Sequence, residues 1–491
     1  MKHFPFFFII LLFSCKSRQS MIVWDKNFPG IGSQSSPRVA DLNQDGVDDI
    51  IVGACKNEYQ PTDQGVMALD GKTGEILWEC ASNDQVFGSA TLLDIDGDRV
   101  KDVIIGGRWA FLKAISGKTG KPIWSYQYKD SIDPILKFAK YNFYNSVIVP
   151  DQNNDGTEDI VIQNGGNHRA APNDSIHRYP GLLMLIDSKS GNILAADTMP
   201  DGRECYMSPI YFKQPDHREY IAYGSGGETF GGHLYLTMLE DLKNKRLNKS
   251  ITLVTDTLSH GFIAPPVVVD INGDGYGDIV SISHSSSITA VDGKSFKPIW
   301  SLRIPNTESS NGFAVGQFTN DQIPDFFTFV SKGIWPESKG TIEILIDGHE
   351  GKIIYQDSIG CTGFSSPVAY DFTADGVDDV MLSINEYDCN RGFTSDKKLE
   401  IQNRYIVIDL AHHRVQDIET LPNFKNIYST PWIGDLDHDG YLDMVYSQFY
   451  SPGFDLLAFM GWRIKRVSTG IKIKNPVKWG GYMGSHGDGI Y

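Results

Sequence analysis

Six nine-residue acidic loops recur along the chain, each close to D-x-[DNT]-x-D-G-x-x-D: Asp41–Asp49, Asp94–Asp102, Asp151–Asp159, Asp270–Asp278, Asp371–Asp379 and Asp435–Asp443. A short apolar stretch flanks each one, as in Ile50-Ile51-Val52 or Ile279-Val280. A tight turn between two apolar runs reads as a hairpin. Oxygen-bearing side chains at loop positions 1, 3, 5 and 9 read as a ligand set.

Hard oxygen donors at alternate positions suit Ca²⁺, which takes six to eight oxygens in flexible geometry. The ligands expected are Asp41, Asn43, Asp45 and Asp49 in the first loop, and Asp94, Asp96, Asp98 and Asp102 in the second. Asp151, Asn153, Asp155 and Asp159 follow in the third, and Asp270, Asn272, Asp274 and Asp278 in the fourth. The last two supply Asp371, Thr373, Asp375 and Asp379, then Asp435, Asp437, Asp439 and Asp443. No Cys accompanies them, which speaks against zinc or a softer metal. At about 5 Å and an effective dielectric of roughly 20, each pair of these carboxylates repels by about 3 kcal/mol. The formal net charge of −17 agrees with a chain that collects cations, and it opposes nucleic-acid binding. The loops are not EF-hands, because they lack the twelfth-position Glu and sit between strands.

Two intervals between loops are about twice the others, so each hides a worn repeat. Gln317-Phe-Thr-Asn-Asp-Gln-Ile-Pro-Asp325 fills one, and Ser208–Ile221, which echoes Ser36–Asp41, fills the other. A second motif runs in phase. Ala68-Leu-Asp-Gly-Lys-Thr-Gly-Glu-Ile-Leu-Trp78 recurs over Ala114–Trp124 and Ala290–Trp300, with weaker copies at Leu185–Leu194 and Leu345–Ile354. Four strands per repeat, with no amphipathic helix between repeats, predict an all-β fold: an eight-bladed β-propeller of four antiparallel strands per blade, or seven blades as the alternative. Ile22-Val23-Trp24-Asp25 matches an outer strand with no blade before it, so it is expected to complete the last blade beside Leu456–Phe459. Val467–Ile473 is the other candidate for that role.

The acidic loops, with Phe87-Gly88-Ser89-Ala90 and the Ser-Pro pairs before them, resemble the FG-GAP/VCBS repeats of integrin α-chain propellers. The D-G-K-T-G turns ending in Trp are similar to the tryptophan-docking motif of quinoprotein-like eight-bladed propellers. The resemblance implies fold and structural Ca²⁺, and says little about activity. No adjacent cysteine pair is present, which weakens a quinone-cofactor reading.

Residues 1–14 read as a signal peptide with a short apolar core. Leu12-Phe13-Ser14-Cys15 resembles a bacterial lipobox, with Cys15 lipidated, 15–20 as a tether, 21–474 as the propeller and 475–491 as a tail packed across it. Ordinary secretion is the alternative. Among the remaining cysteines, Cys55 with Cys80 or Cys361 with Cys389 are the expected pairs, and the odd count leaves one free.

The face opposite the acidic loops carries the unusual side chains. His168, Arg169, His177 and Arg178 lie in one glycine-rich loop, Glu228 and His233 in the next, and Arg203 beside Tyr206 just before it. Together they form an expected ligand-binding face for an acidic glycan. If the chain is catalytic, His168 or Tyr206 would act as base beside Arg169. The expected function is a lipid-anchored, monomeric, calcium-binding platform at the bacterial cell envelope, engaging an envelope protein or glycan. The alternative is a calcium-dependent polysaccharide lyase.

Overall fold

The computed structural model of the chain describes residues 20–129, 132–167, 169–258, 260–319, 321–335, 337–391, 400–452 and 458–491. Cys15, His168 and Leu456 lie outside them.

Eight antiparallel sheets succeed one another along the chain, making an eight-bladed β-propeller rather than a seven-bladed one. The innermost strands of blades 1 to 8 are Arg38–Ala40, Thr91–Leu93, Val147–Val149, Ile210–Lys213, Val267–Val269, Ala314–Gly316, Val368–Tyr370 and Trp432–Gly434. Second strands such as Asp49–Gly53, Asp102–Gly106, Asp159–Asn164 and Asp278–Ile282 are buried along their whole length. Neighbouring blades cover both faces of such a strand, so it reads as a continuous apolar run rather than an alternation. The fourth blade, whose acidic loop is lost, turns instead at Gln214, whose N–H donates to Arg218 O at 2.9 Å. It also carries the short helix Leu239–Lys243 between its third and outer strands.

Each acidic loop is folded around its own carboxylates. The position-1 Asp accepts backbone N–H groups from further along the turn, as Asp41 does from Asp45 and Gly46 at 3.1 and 3.0 Å. Position 6 is left-handed, with φ of 85° at Gly46 and 97° at Gly376, a region in which a Cβ is strained. The position-9 Asp opens the second strand and reaches further. Asp49 accepts the Leu42 N–H at 2.9 Å on one oxygen and the Gly71 N–H at 2.9 Å on the other. Asp102 repeats this with Ile95 and Gly117, and Asp278 with Ile271 and Gly293.

The same glycines join neighbouring blades. Their carbonyls accept the indole N–H of the preceding blade: Trp78 to Gly117 at 2.5 Å and Trp300 to Gly348 at 2.9 Å. A Cβ at Gly117 would stand 1.9 Å from the Lys101 carbonyl, so a side chain there would need the backbone to shift. Blade 3 carries Ser188 there, and its hydroxyl bonds the Glu158 carbonyl instead.

The ring closes through the N-terminus. Met21–Pro29 is the outer strand of blade 8, and Trp24 donates to Gly71 O of blade 1 at 2.8 Å. Its partner strand differs from the expectation. Met21–Pro29 pairs with Gly461–Lys472, which also absorbs most of Val467–Ile473 as the third strand. Phe459 turns away to pack on Phe449, with ring centroids 4.7 Å apart.

The C-terminal tail enters the centre of the ring. Its backbone bonds the inner strands of blades 7, 8 and 5, through Trp479 O with Ala369 N–H, Gly480 O with Ile433 N–H, and Gly489 O with Val268 N–H. Trp479 donates its indole N–H to Phe313 O at 2.7 Å. Arg38 is buried beside the tail, and burial pulls its guanidinium down to about 10. Cys361 pairs with Cys389, while Cys55, Cys80 and Cys205 are free thiols in the interior.

Candidate functional site

On the acidic-loop face, the donor set suits a hard cation. In the second loop Asp94, Asp96 and Asp102 offer carboxylate oxygens within 4.8 Å of one another, as do Asp435, Asp437 and Asp439 in the last. Asp437 Oδ1 is buried without a hydrogen-bond partner, an arrangement that a bound cation would satisfy. Burial pushes the position-9 carboxyls up, to about 6 for Asp49, Asp159, Asp278 and Asp443 and about 7 for Asp379. At position 3, Asn43 and Asn272 bridge to the hairpin turn, on Asp70 at 3.1 Å and Asp292 at 2.9 Å, while Asn153 stays within its own loop on Asp155. The last loop is distinct. Arg466, buried in blade 8, donates to Asp437 at 2.6 Å and Asp443 at 2.9 Å, so a guanidinium already shares two of its four carboxylates.

The opposite face opens as a funnel. A cavity of about 240 Å³ lies at its centre, lined by residues that precede the inner strands of successive blades, among them Ser36, Ser89, Asn145, Ser208, Ser310 and Ser366. Tyr482 of the tail is part of its lining. A second cavity of about 700 Å³ adjoins it and shares Arg108, Glu228 and Tyr428 with it.

The third- and fourth-blade loops meet at the funnel wall. Arg178 sends one Nη to both oxygens of Glu204 at 3.1 Å and to the Tyr206 hydroxyl at 2.8 Å. Tyr206 donates its own proton to Glu204 at 3.0 Å. Burial pushes the Glu204 carboxyl up, and Arg178 opposes that rise. Glu228 lines both cavities; burial raises its carboxyl, while Arg178 and His260 lower it. Burial and Glu204 push the Tyr206 phenol well above its ordinary value, an environment that disfavours a phenolate base.

Arg169 occupies another place on this face. Its guanidinium lies 4.3 Å from the Tyr59 ring centroid and 4.2 Å from that of Trp109, so it bridges loops of blades 1, 2 and 3. Tyr59 and Trp109 adopt φ of 65° and 49°, left-handed for bulky residues, and leave 43% and 38% of their surface exposed. Arg108 beside them pairs with Glu58 at 2.7 Å and with Gln85 at 2.9 Å.

The remaining expected residues scatter. His177 bonds Asp174 at 2.7 Å on the exposed outside of its loop. Arg203 lies over Phe230 and His233 bonds Thr255 at 2.9 Å, both lining a separate crevice of about 560 Å³. Sequence reading placed Arg108 and Trp109 on this face but left out Tyr59, His284 and Glu308, which stand apart in the sequence and come to one face only through the ring.

Comparison with known proteins agrees with this frame. The fold is that of the eight-bladed β-propellers. Residues 270–328 match the FG-GAP-like repeat. The protein FAM234B of Gallus gallus is 22% identical over 377 residues, covering 71% of this chain and 56% of that protein. The chain thus spans just over half the length of that relative. A europium-containing methanol dehydrogenase superposes with a TM-score of 0.58 at 9% identity, over 91% of this chain and 93% of that one. The quinohemoprotein alcohol dehydrogenase of Comamonas testosteroni gives 0.55 at 12%, over 93% and 78%. At such identities the likeness is one of fold.

Proposed function

We propose that this chain is an envelope-anchored β-propeller that binds an acidic glycan on its funnel face, with Ca²⁺ held structurally in the acidic loops. The observation that carries the reading is the Tyr59–Arg169–Trp109 stack beside the funnel. Exposed aromatic rings pack against sugar faces, and a guanidinium held between them offers planar donors to a carboxylate. Backbone strain at both rings is consistent with a surface shaped for contact. Cys15 would supply the anchor, and the bound ions would stabilise only the folded ring.

The lyase reading needs a base and a cation at a uronate carboxylate. Arg169 would serve the carboxylate in either reading, His168 lies outside the described residues, and the other named base, Tyr206, holds its proton firmly. Binding without cleavage is therefore favoured. Incubation of the purified chain with uronate polymers tests both. Retention of the polymer with no rise in 4,5-unsaturated absorbance supports a binding protein, whereas steady product formation supports the lyase.

A further inference from the structure

We propose that His260, His284 and Glu308 form a binding site for a borderline transition-metal dication such as Zn²⁺, separate from the acidic loops and on the opposite face. Three different segments deliver these side chains. His260 lies between blades 4 and 5, His284 in the loop joining the second and third strands of blade 5, and Glu308 in the two-residue strand Thr307–Glu308 leading into blade 6.

The orientation of each group is fixed by its other end. His260 Nδ1 lies 3.0 Å from Leu258 O, and His284 Nδ1 lies 2.9 Å from Ser309 O. A carbonyl oxygen only accepts, so both imidazoles carry a proton on Nδ1, and in the neutral form each presents a bare Nε2. Glu308 Oε2 accepts the Trp335 N–H at 2.7 Å. Its Oε1 then faces His260 Nε2 at 3.8 Å and His284 Nε2 at 3.7 Å. These separations are too long for hydrogen bonds. The three ligand atoms all lie within 4.8 Å of one another.

Three lone-pair donors converging at this spacing repel unless a cation lies among them. Two neutral imidazoles with Nδ1–H held by backbone carbonyls, plus one carboxylate, are a donor set that suits zinc-like ions rather than Ca²⁺. Tetrahedral ligands about 2.1 Å from Zn²⁺ stand about 3.4 Å apart, so small side-chain shifts close the site. All three residues line the cavity of about 700 Å³, which leaves a remaining coordination position open to water or to a ligand on the funnel face.

Titration of the chelator-stripped full chain with Co²⁺, followed by visible absorption, tests the site in excess Ca²⁺. The expected result is one equivalent of Co²⁺ with a ligand-field spectrum, displaced by Zn²⁺ and unaffected by Ca²⁺. His260→Ala, at a partly exposed position, and Glu308→Gln should each weaken binding on the order of 100-fold or more. His177→Ala, outside the cluster, should leave it unchanged. Absence of a specific spectrum overturns the proposal and leaves an imidazole–carboxylate pair. Undiminished binding in His260→Ala and Glu308→Gln overturns it as well, by placing the metal elsewhere.

Discussion

The two faces of the ring are built by opposite rules. On the acidic-loop face, one pattern is reused: an Asp opens the second strand, grips a glycine N–H of its own hairpin turn, and the neighbouring Trp grips that glycine's carbonyl. On the funnel face, Ser, Thr and Asn side chains at the inner-strand entries still link one blade to the next, but the side chains above that ring do not repeat. Arg178 meets Glu204, Arg169 lies between two rings, and two histidines turn toward Glu308. Repetition serves closure, because every blade must dock on the next with the same geometry. Unique side chains have no such task, and the proposed contact surface is placed among them.

If this contrast is right, damage on the first face should cost stability and damage on the second should cost recognition. The largest effect expected is metal removal. Each Ca²⁺ site at a hundredfold excess over its Kd adds about 2.7 kcal/mol, so chelation should lower the melting temperature steeply and Mg²⁺ should restore little of it. The Arg466-braced last loop should respond least to chelation, whereas Asp437→Ala, which takes a partner from the buried Arg466, should cost stability with or without Ca²⁺. Next comes Trp24→Ala. It empties the seam where blade 8 docks on blade 1, and a loss of about 3–5 kcal/mol is expected in denaturant unfolding.

Glu204→Ala tests the funnel wall. It strands Arg178 beside a buried gap and should cost about 3 kcal/mol or more, whereas removing both partners together should recover much of the loss. A smaller effect belongs to Glu343 in blade 6, which burial pushes up to about 7. A carboxyl raised in the folded state favours folding below its unfolded value and loses that contribution as pH climbs through the folded one. Glu343 should therefore contribute a fall of up to about 3 kcal/mol between pH 4.5 and 8, and Glu343→Gln should remove that share of the slope while the raised position-9 aspartates keep theirs. Smallest for stability is Trp109→Ala on the rim, within about 0.5 kcal/mol, because the ring is already half exposed.

The frame was legible in the sequence because its parts are periodic. Asp and Trp turns in constant phase identify a blade even when, as around Asp325, only two acids remain. The N-terminal clasp was readable from Trp24, but its partner was not. The long hairpin Tyr441–Tyr450 and Gly461–Lys472 has Pro452-Gly453 as a turn signal, but a ten-residue connection leaves its register open. Arg466 was also invisible, since a lone arginine in a strand does not announce that it will neutralise a loop beyond the hairpin. The funnel was legible only as a glycine-rich cluster. Arg169 and Arg178 share one loop yet face different partners, and His284 with Glu308 stand 24 residues apart with no motif between them. Tyr482 reaches the funnel only because the tail binds three inner strands, a tertiary event without local pattern.

The central claim is that the rim of the funnel face recognises an acidic glycan while the opposite face only holds the ring together. Calorimetric titration of uronate oligosaccharides into the wild-type chain and the Arg169→Ala/Trp109→Ala double variant, in saturating Ca²⁺, tests it most directly. The account predicts saturable binding to the wild type and at least about tenfold weaker binding to the double variant with its melting temperature preserved. Equal binding by both proteins, or none by either, would contradict it.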